Sequence, residues 1–94
     1  MQRWSVVMTR RSCRDLDRAP LHIQMALQEW AKSVETDGML AVRKIPGYHD
    51  EPLRGDRRGQ RSVRLNRQWR AIYTELATGE LAIVTLEEIT PHAY

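Results

Sequence analysis

Pro52-Leu53-Arg54-Gly55-Asp56-Arg57-Arg58-Gly59-Gln60-Arg61-Ser62-Val63-Arg64-Leu65-Asn66-Arg67-Gln68-Trp69-Arg70-Ala71-Ile72-Tyr73 reads as a glycine-punctuated turn followed by two strands. In Arg61–Leu65, Val63 and Leu65 fall on one side and Ser62 and Arg64 on the other, the period of two of a half-buried strand. Asn66-Arg67-Gln68 is a polar turn, and a second strand is expected from Trp69 to Leu76. Arg61, Arg64, Arg67 and Arg70 also recur every three residues, as on a basic helix. Gly59, Val63 and the β-branched neighbours favour the strand pair over that helix.

The same stretch holds the positive charge. Glu51 to Arg70 contains seven arginines against Glu51 and Asp56, a net of +5. Residues 1–50 carry +2 and residues 71–94 carry −4, so the chain total of +3 conceals a local basic face. Such a face on a small domain points to a polyphosphate partner. The 13 arginines against Lys32 and Lys44 suit bidentate phosphate recognition, because a guanidinium is a planar fork and an ammonium a point charge.

Outward from this stretch, residues 3–8 read as a first strand and Thr9 to Arg18 as a short helix with Cys13 and Leu16 on one side. Pro20 suits the first turn of a second helix, where its missing N–H costs nothing. Ile23, Leu27, Trp30 and Val34 make one apolar stripe on that helix, at spacings of four, three and four. Gly38 is its stop signal. A brief helical turn follows over Met39–Lys44, ended by Ile45-Pro46-Gly47. After the strand pair, Ala77-Thr78-Gly79-Glu80 is a hairpin turn and Leu81–Ile89 a last strand. One α+β domain spanning 1–94 is expected: an N-terminal strand, a two-helix hairpin, then a three- or four-stranded antiparallel sheet with the helices on one face.

The 94 residues, 41% hydrophobic and 29% charged, suit a single modest core. No apolar run approaches 18 residues, so no transmembrane helix or membrane partner is expected. The N-terminus is too short in apolar residues for a signal-peptide core. Cys13 is the one cysteine, which excludes an internal disulfide and fits a reducing cytoplasm. One cysteine and three scattered histidines offer no metal-ligand spacing, so neither metal nor other cofactor is expected.

Pro52-Leu53-Arg54-Gly55, Gly59-Gln60-Arg61-Ser62-Val63-Arg64-Leu65-Asn66 and Trp69-Arg70-Ala71-Ile72-Tyr73 together resemble the RelE/ParE toxin superfamily, in particular its HigB-like members. These are the toxin halves of bacterial type II toxin–antitoxin pairs. Pro20-Leu21-His22-Ile23, Ile45-Pro46-Gly47-Tyr48 and the ending His92-Ala93-Tyr94 extend the likeness over nearly the whole chain. The resemblance implies a RelE-like fold and a metal-independent endoribonuclease that cleaves mRNA, on the ribosome, to stop translation. It also implies a cognate antitoxin and a toxin–antitoxin hetero-oligomer in the cytoplasm. Two other functions share these features in part: a ParE-like poison of DNA gyrase, and a non-catalytic nucleic-acid-binding module.

Cleavage by attack of the 2′-hydroxyl needs a base, an acid and cations around the phosphorus. By resemblance Arg70 is the strand arginine that stabilises the transition state. Its structural alternative is an ion pair with Glu75, Glu87 or Glu88. Arg64, on the preceding strand, would hold the same or a neighbouring phosphate. Arg61 would do likewise from the strand's start, on the opposite face if alternation is strict. Arg54, Arg57 and Arg58, in the loop, would contact RNA backbone. His92 is the natural acid or base, since imidazole titrates near neutrality, with Tyr94 its competitor. His49 is a loop residue within reach of the same cleft. Among the carboxylates Asp50, Glu51 and Asp56, Glu51 is the better placed base. Trp69 and Tyr73 alternate with Arg70 and belong to the core. Gln60 and Arg61 stand where relatives often carry an aromatic residue, so a stacking platform for a nucleobase is either missing or supplied elsewhere.

Overall fold

The computed structural model describes residues 2–91. A first strand, β1 (Arg3–Met8), is followed by helices α1 (Arg10–Arg18), α2 (Leu21–Asp37) and α3 (Met39–Arg43). Four strands come after them: β2 (Glu51–Pro52), β3 (Arg61–Arg64), β4 (Trp69–Thr78) and β5 (Leu81–Pro91). They form one sheet in the order β1-β5-β4-β3-β2. The four later strands are an antiparallel meander, as the turn-punctuated second half of the chain implies. The first strand joins this meander in parallel to β5, from Arg3 opposite Leu81 to Met8 opposite Leu86, making the sheet mixed. Between β1 and β5 lies the whole helical layer, long enough for the crossover that a parallel pair requires.

Sequence chemistry accounts for the helix boundaries. Thr9 caps α1 by accepting a hydrogen bond from the Ser12 N–H at 3.0 Å, satisfying one of the helix's orphan donors. The inward residue of α1 is Ser12, which is fully buried, while Cys13 is exposed. Of the expected Cys13–Leu16 side, Leu16 packs against the core and Ser12, four residues before it, takes the place of Cys13. The Ser12 hydroxyl donates to the Thr9 carbonyl at 3.0 Å, so its burial leaves the polar group satisfied. In α2 the stripe Ile23, Leu27, Trp30 and Val34 is buried throughout. Gly38 ends that helix with φ 87°, a conformation that L side chains avoid. A Cβ there would also stand 3.3 Å from the Trp4 indole nitrogen.

The stripe packs on Val63, Ala71, Tyr73, Val84, Leu86 and Ile89 of the sheet. Trp30 and Tyr73 meet at the centre with ring centroids 5.4 Å apart, within the range of favourable tilted pairs. The core residues of β5 fall at 84, 86 and 89 rather than at strict alternation. The cause is a β-bulge: Ile72 pairs with Glu88 but Tyr73 pairs with Leu86, which leaves Glu87 as an extra residue in β5. The bulge swings Ile89 into the core and turns Glu88 to the other face. It lies where β1 stops. Beyond it α1 takes the neighbouring position, and Asp15 Oδ2 accepts the Ile89 N–H at 3.1 Å. No helix among the described residues is long and apolar enough to cross a membrane.

Candidate functional site

Directly opposed residues in an antiparallel sheet project from the same face. Arg64 is opposite Arg70, and Arg70 is opposite Thr90, so these three form a row across β3, β4 and β5. The next row is Glu51, Ser62, Ile72 and Glu88, from β2 to β5. Both rows lie on the face turned away from the helices, since Val63, Ala71 and Ile89 between them belong to the helix-side core.

Arg64 and Arg70 are like charges at neighbouring positions, an arrangement that destabilises a sheet by itself. Among the described residues neither guanidinium has a carboxylate within ion-pair distance. The three candidates that would have given Arg70 a purely structural role are engaged elsewhere. Glu75 accepts from Arg43 at 2.5 Å, Glu87 accepts from the Thr74 hydroxyl at 2.9 Å, and Glu88 pairs with Arg11 and Arg57. The Arg70 Nε is buried without a hydrogen-bond partner. A desolvated, charged donor lacking an acceptor is costly, and an anion bound between the two arginines would relieve both that cost and their repulsion.

The loop arginines divide. Arg54 and Arg58 are exposed. Arg57, expected to face RNA backbone, instead donates to Glu88, whose side chain is only 12% exposed. Glu88 lies two strands from β3, roughly 10 Å away at the usual strand spacing. Arg57 therefore reaches across the open face toward β5, on the same face as Ile72, which is fully buried although it faces away from the helices. Arg11 of α1 approaches the same carboxylate from the other side at 3.2 Å. Glu88 and Arg11 were not legible as a pair, because only the bulge brings them together.

Arg61 does not join Arg64. It is one residue from Ser62 on β3 and so faces the helices, opposite Tyr73. There its Nε donates to Asp50 Oδ1 at 2.7 Å. The Tyr73 hydroxyl donates to Asp50 Oδ2 at 2.5 Å, and Arg43 Nε stands 3.8 Å from the same carboxylate. Asp50 is 1% exposed at its side chain; a carboxylate so buried requires such partners. Burial, then the Asp50 hydrogen bond, push the Tyr73 phenol well above the ordinary tyrosine range. Asp50 is therefore a structural carboxylate, while its neighbour Glu51 projects to the opposite face and is more than half exposed. His49, in the left-handed region at φ 45°, stands 3.9 Å from Glu51 Oε2.

Thr90 and Pro91 are the last described residues, beside Arg70 and Trp69. His92 and Tyr94 follow them in sequence and lie outside the described residues. Among the described residues no group of three His, Cys, Asp or Glu side chains is arranged to hold a metal ion.

No family model matches the chain, and no curated protein matches it in sequence. Solved structures do match over nearly the full length. A YoeB/ParE toxin from Agrobacterium tumefaciens is 19% identical with a TM-score of 0.71, covering 95% of this chain and 99% of that one. The E. coli DinJ–YafQ toxin–antitoxin complex matches at 20% identity and 0.71, covering 98% and 94%. The archaeal RelE–RelB complex from Pyrococcus horikoshii matches at 16% identity and 0.72, covering 96% of each chain. The chain thus has the fold of the RelE/ParE-type toxins.

Proposed function

We propose that this protein is the toxin of a type II toxin–antitoxin pair and acts as a metal-independent endoribonuclease on translated mRNA. One observation carries this reading: Arg64 and Arg70 oppose each other on the open face and, among the described residues, no carboxylate neutralises them and the Arg70 Nε finds no acceptor. A phosphodiester supplies both the charge and the acceptors. The structural likeness to toxins solved alone and with antitoxins supports the biological setting.

The chemistry follows from the charges. Arg70, fixed on a central strand, and Arg64 beside it stabilise the negative charge that grows on the non-bridging oxygens as phosphorus becomes five-coordinate. The 2′-oxygen attacks the phosphorus and surrenders its proton to a base. The bond from phosphorus to the 5′-oxygen breaks, and an acid protonates the leaving oxygen. The products are a 2′,3′-cyclic phosphate and a 5′-hydroxyl. Glu51, a diagonal neighbour of Arg64 across the β2–β3 pair, is the base in this scheme. His92, or Tyr94 in its place, is the acid. Arg54 and Arg58 attract the RNA backbone, while Arg57 holds the loop down through Glu88. A partner antitoxin would hold such a nuclease inactive in the cell by covering the arginine row.

The test is mRNA cleavage in a cell-free translation reaction, with and without functional ribosomes, mapping the new 5′ ends. Cuts within translated codons that disappear with Arg70→Ala are expected. Intact mRNA with unaffected translation would refute the nuclease and make DNA supercoiling the next assay.

A further inference from the structure

β2 pairs with only Arg61 and Ser62 of β3, so from Val63 onward that side of β3 has no strand beside it. The uncovered edge opens into a recess with a cavity volume of about 460 Å³, lined by Glu29 and Ser33 of α2, Ile45 and Tyr48, and Arg64 and Leu65. Arg64, at the edge of β3, both lines the recess and belongs to the arginine row, so the two meet at that residue. The recess combines an aromatic ring, apolar walls and a small set of polar groups, the usual make-up of a small-ligand site.

We propose that this recess receives the nucleobase next to the phosphate held by Arg64 and Arg70, and so sets the base preference of cleavage; the proposal rests on the ribonuclease reading above. Tyr48 is half-buried and packs its inner edge against the core, which holds its ring rigid for stacking. Stacking on an aromatic side chain suits any base. Discrimination comes from Glu29, whose carboxylate only accepts hydrogen bonds. It favours bases with an exocyclic amino group, namely adenine, guanine and cytosine. Uracil offers its single N–H between two carbonyl oxygens that the carboxylate repels. Glu29 lies near enough for its charge to add to burial in raising the Tyr48 phenol above its ordinary range. The recess also supplies the aromatic platform that Gln60 and Arg61 do not.

The test is cleavage-site mapping in the translation reaction with wild type, Glu29→Gln, Tyr48→Leu and, as a control on the same helix, Met25→Ala. Tyr48→Leu is expected to lower the rate at limiting mRNA by about tenfold, the lower part of the range for losing one stacked base. Glu29→Gln should raise the share of cuts with uracil at one fixed position beside the break by roughly fivefold or more, since an amide both donates and accepts. Met25→Ala should cut as wild type does. Glu29 is exposed, so its variant folds and decides the matter even if Tyr48→Leu melts early. Wild-type cutting with unchanged sites and rates in Glu29→Gln and Tyr48→Leu overturns the base site and leaves the nuclease standing. Absence of wild-type cutting removes both.

Discussion

Asp50 and Glu51 are neighbours in the chain and live in different chemical worlds. On the helix side of the sheet, Asp50 is buried and holds Tyr73 and Arg61, with Arg43 close by. On the open side Glu51 is largely exposed, and Arg64 and Arg70 stand together without carboxylate partners among the described residues. The same strands carry both sets, one residue out of phase. Charge on the helix side is consumed by structure; on the open side Glu88 is consumed too, by Arg11 and Arg57, and Arg64 and Arg70 are left over. A surplus that a protein could have neutralised by a single substitution, yet leaves beside a desolvated donor, is a sign of a ligand.

Substitutions on the two faces should therefore separate activity from stability. The largest effect is expected on the open face. Arg70→Ala should reduce cleavage by about 100- to 1,000-fold, the usual scale for losing one preorganised donor to a transition state. Its unfolding free energy in urea should stay within about 0.5 kcal/mol of wild type. A collapse of stability instead would mean that Arg70 is structural. Asp50→Ala should do the reverse. Removing it strands Arg61 and the Tyr73 hydroxyl, while Arg43 keeps Glu75, and a loss near the lower end of the range for broken buried pairs, about 3 kcal/mol, is expected from urea unfolding because Arg61 is partly exposed.

A smaller effect tests Tyr73 on the paired face. Its folded-state value lies above the ordinary 10.0. The stability it confers is fully present below pH 10.0 and fades as pH rises beyond it, because the unfolded phenol then ionises freely while the folded protein still holds its proton. Tyr73→Phe should lose about 1 kcal/mol at neutral pH with its hydrogen bond. It should also show a flatter decline than wild type above pH 10.0. Parallel alkaline limbs would show that the phenol titrates normally. The smallest effect belongs to Arg64→Ala. Stability should rise by a few tenths of a kcal/mol as the like-charge pair is relieved. The salt dependence of RNA binding should weaken by about one unit in the log–log slope. An unchanged slope would mean that Arg64 touches no phosphate.

Much of this arrangement was legible in the chain. The α2 stripe, the stop at Gly38, the Asn66–Gln68 turn and the alternation of Val63 with Arg64 each follow from local periodicity and turn chemistry. So does the split between Arg61 and Arg64. Two features were not. The parallel pairing of β1 with β5 joins distant parts of the chain, and neither strand's own pattern names its partner. The bulge at Glu87 breaks the period of two, and with it any extrapolation from Leu86 to Glu88. The phase slip from Val84 and Leu86 to Ile89 was the available signal. Glu88, and with it the anchoring of the loop by Arg57, depended on reading that slip.

The position of β5 carries a consequence for how the molecule comes into being. It is the last described strand in the chain, yet it lies between β1 and β4 in the sheet. During synthesis β1 waits with an unfilled neighbour until the final strand emerges, and β4 cannot align Arg70 with Thr90 before then. Contacts so far apart in sequence form late and slowly. A nascent chain thus lacks the Arg64–Arg70–Thr90 row until β5 is made, and a truncation within β5 removes the middle of the sheet rather than its fringe.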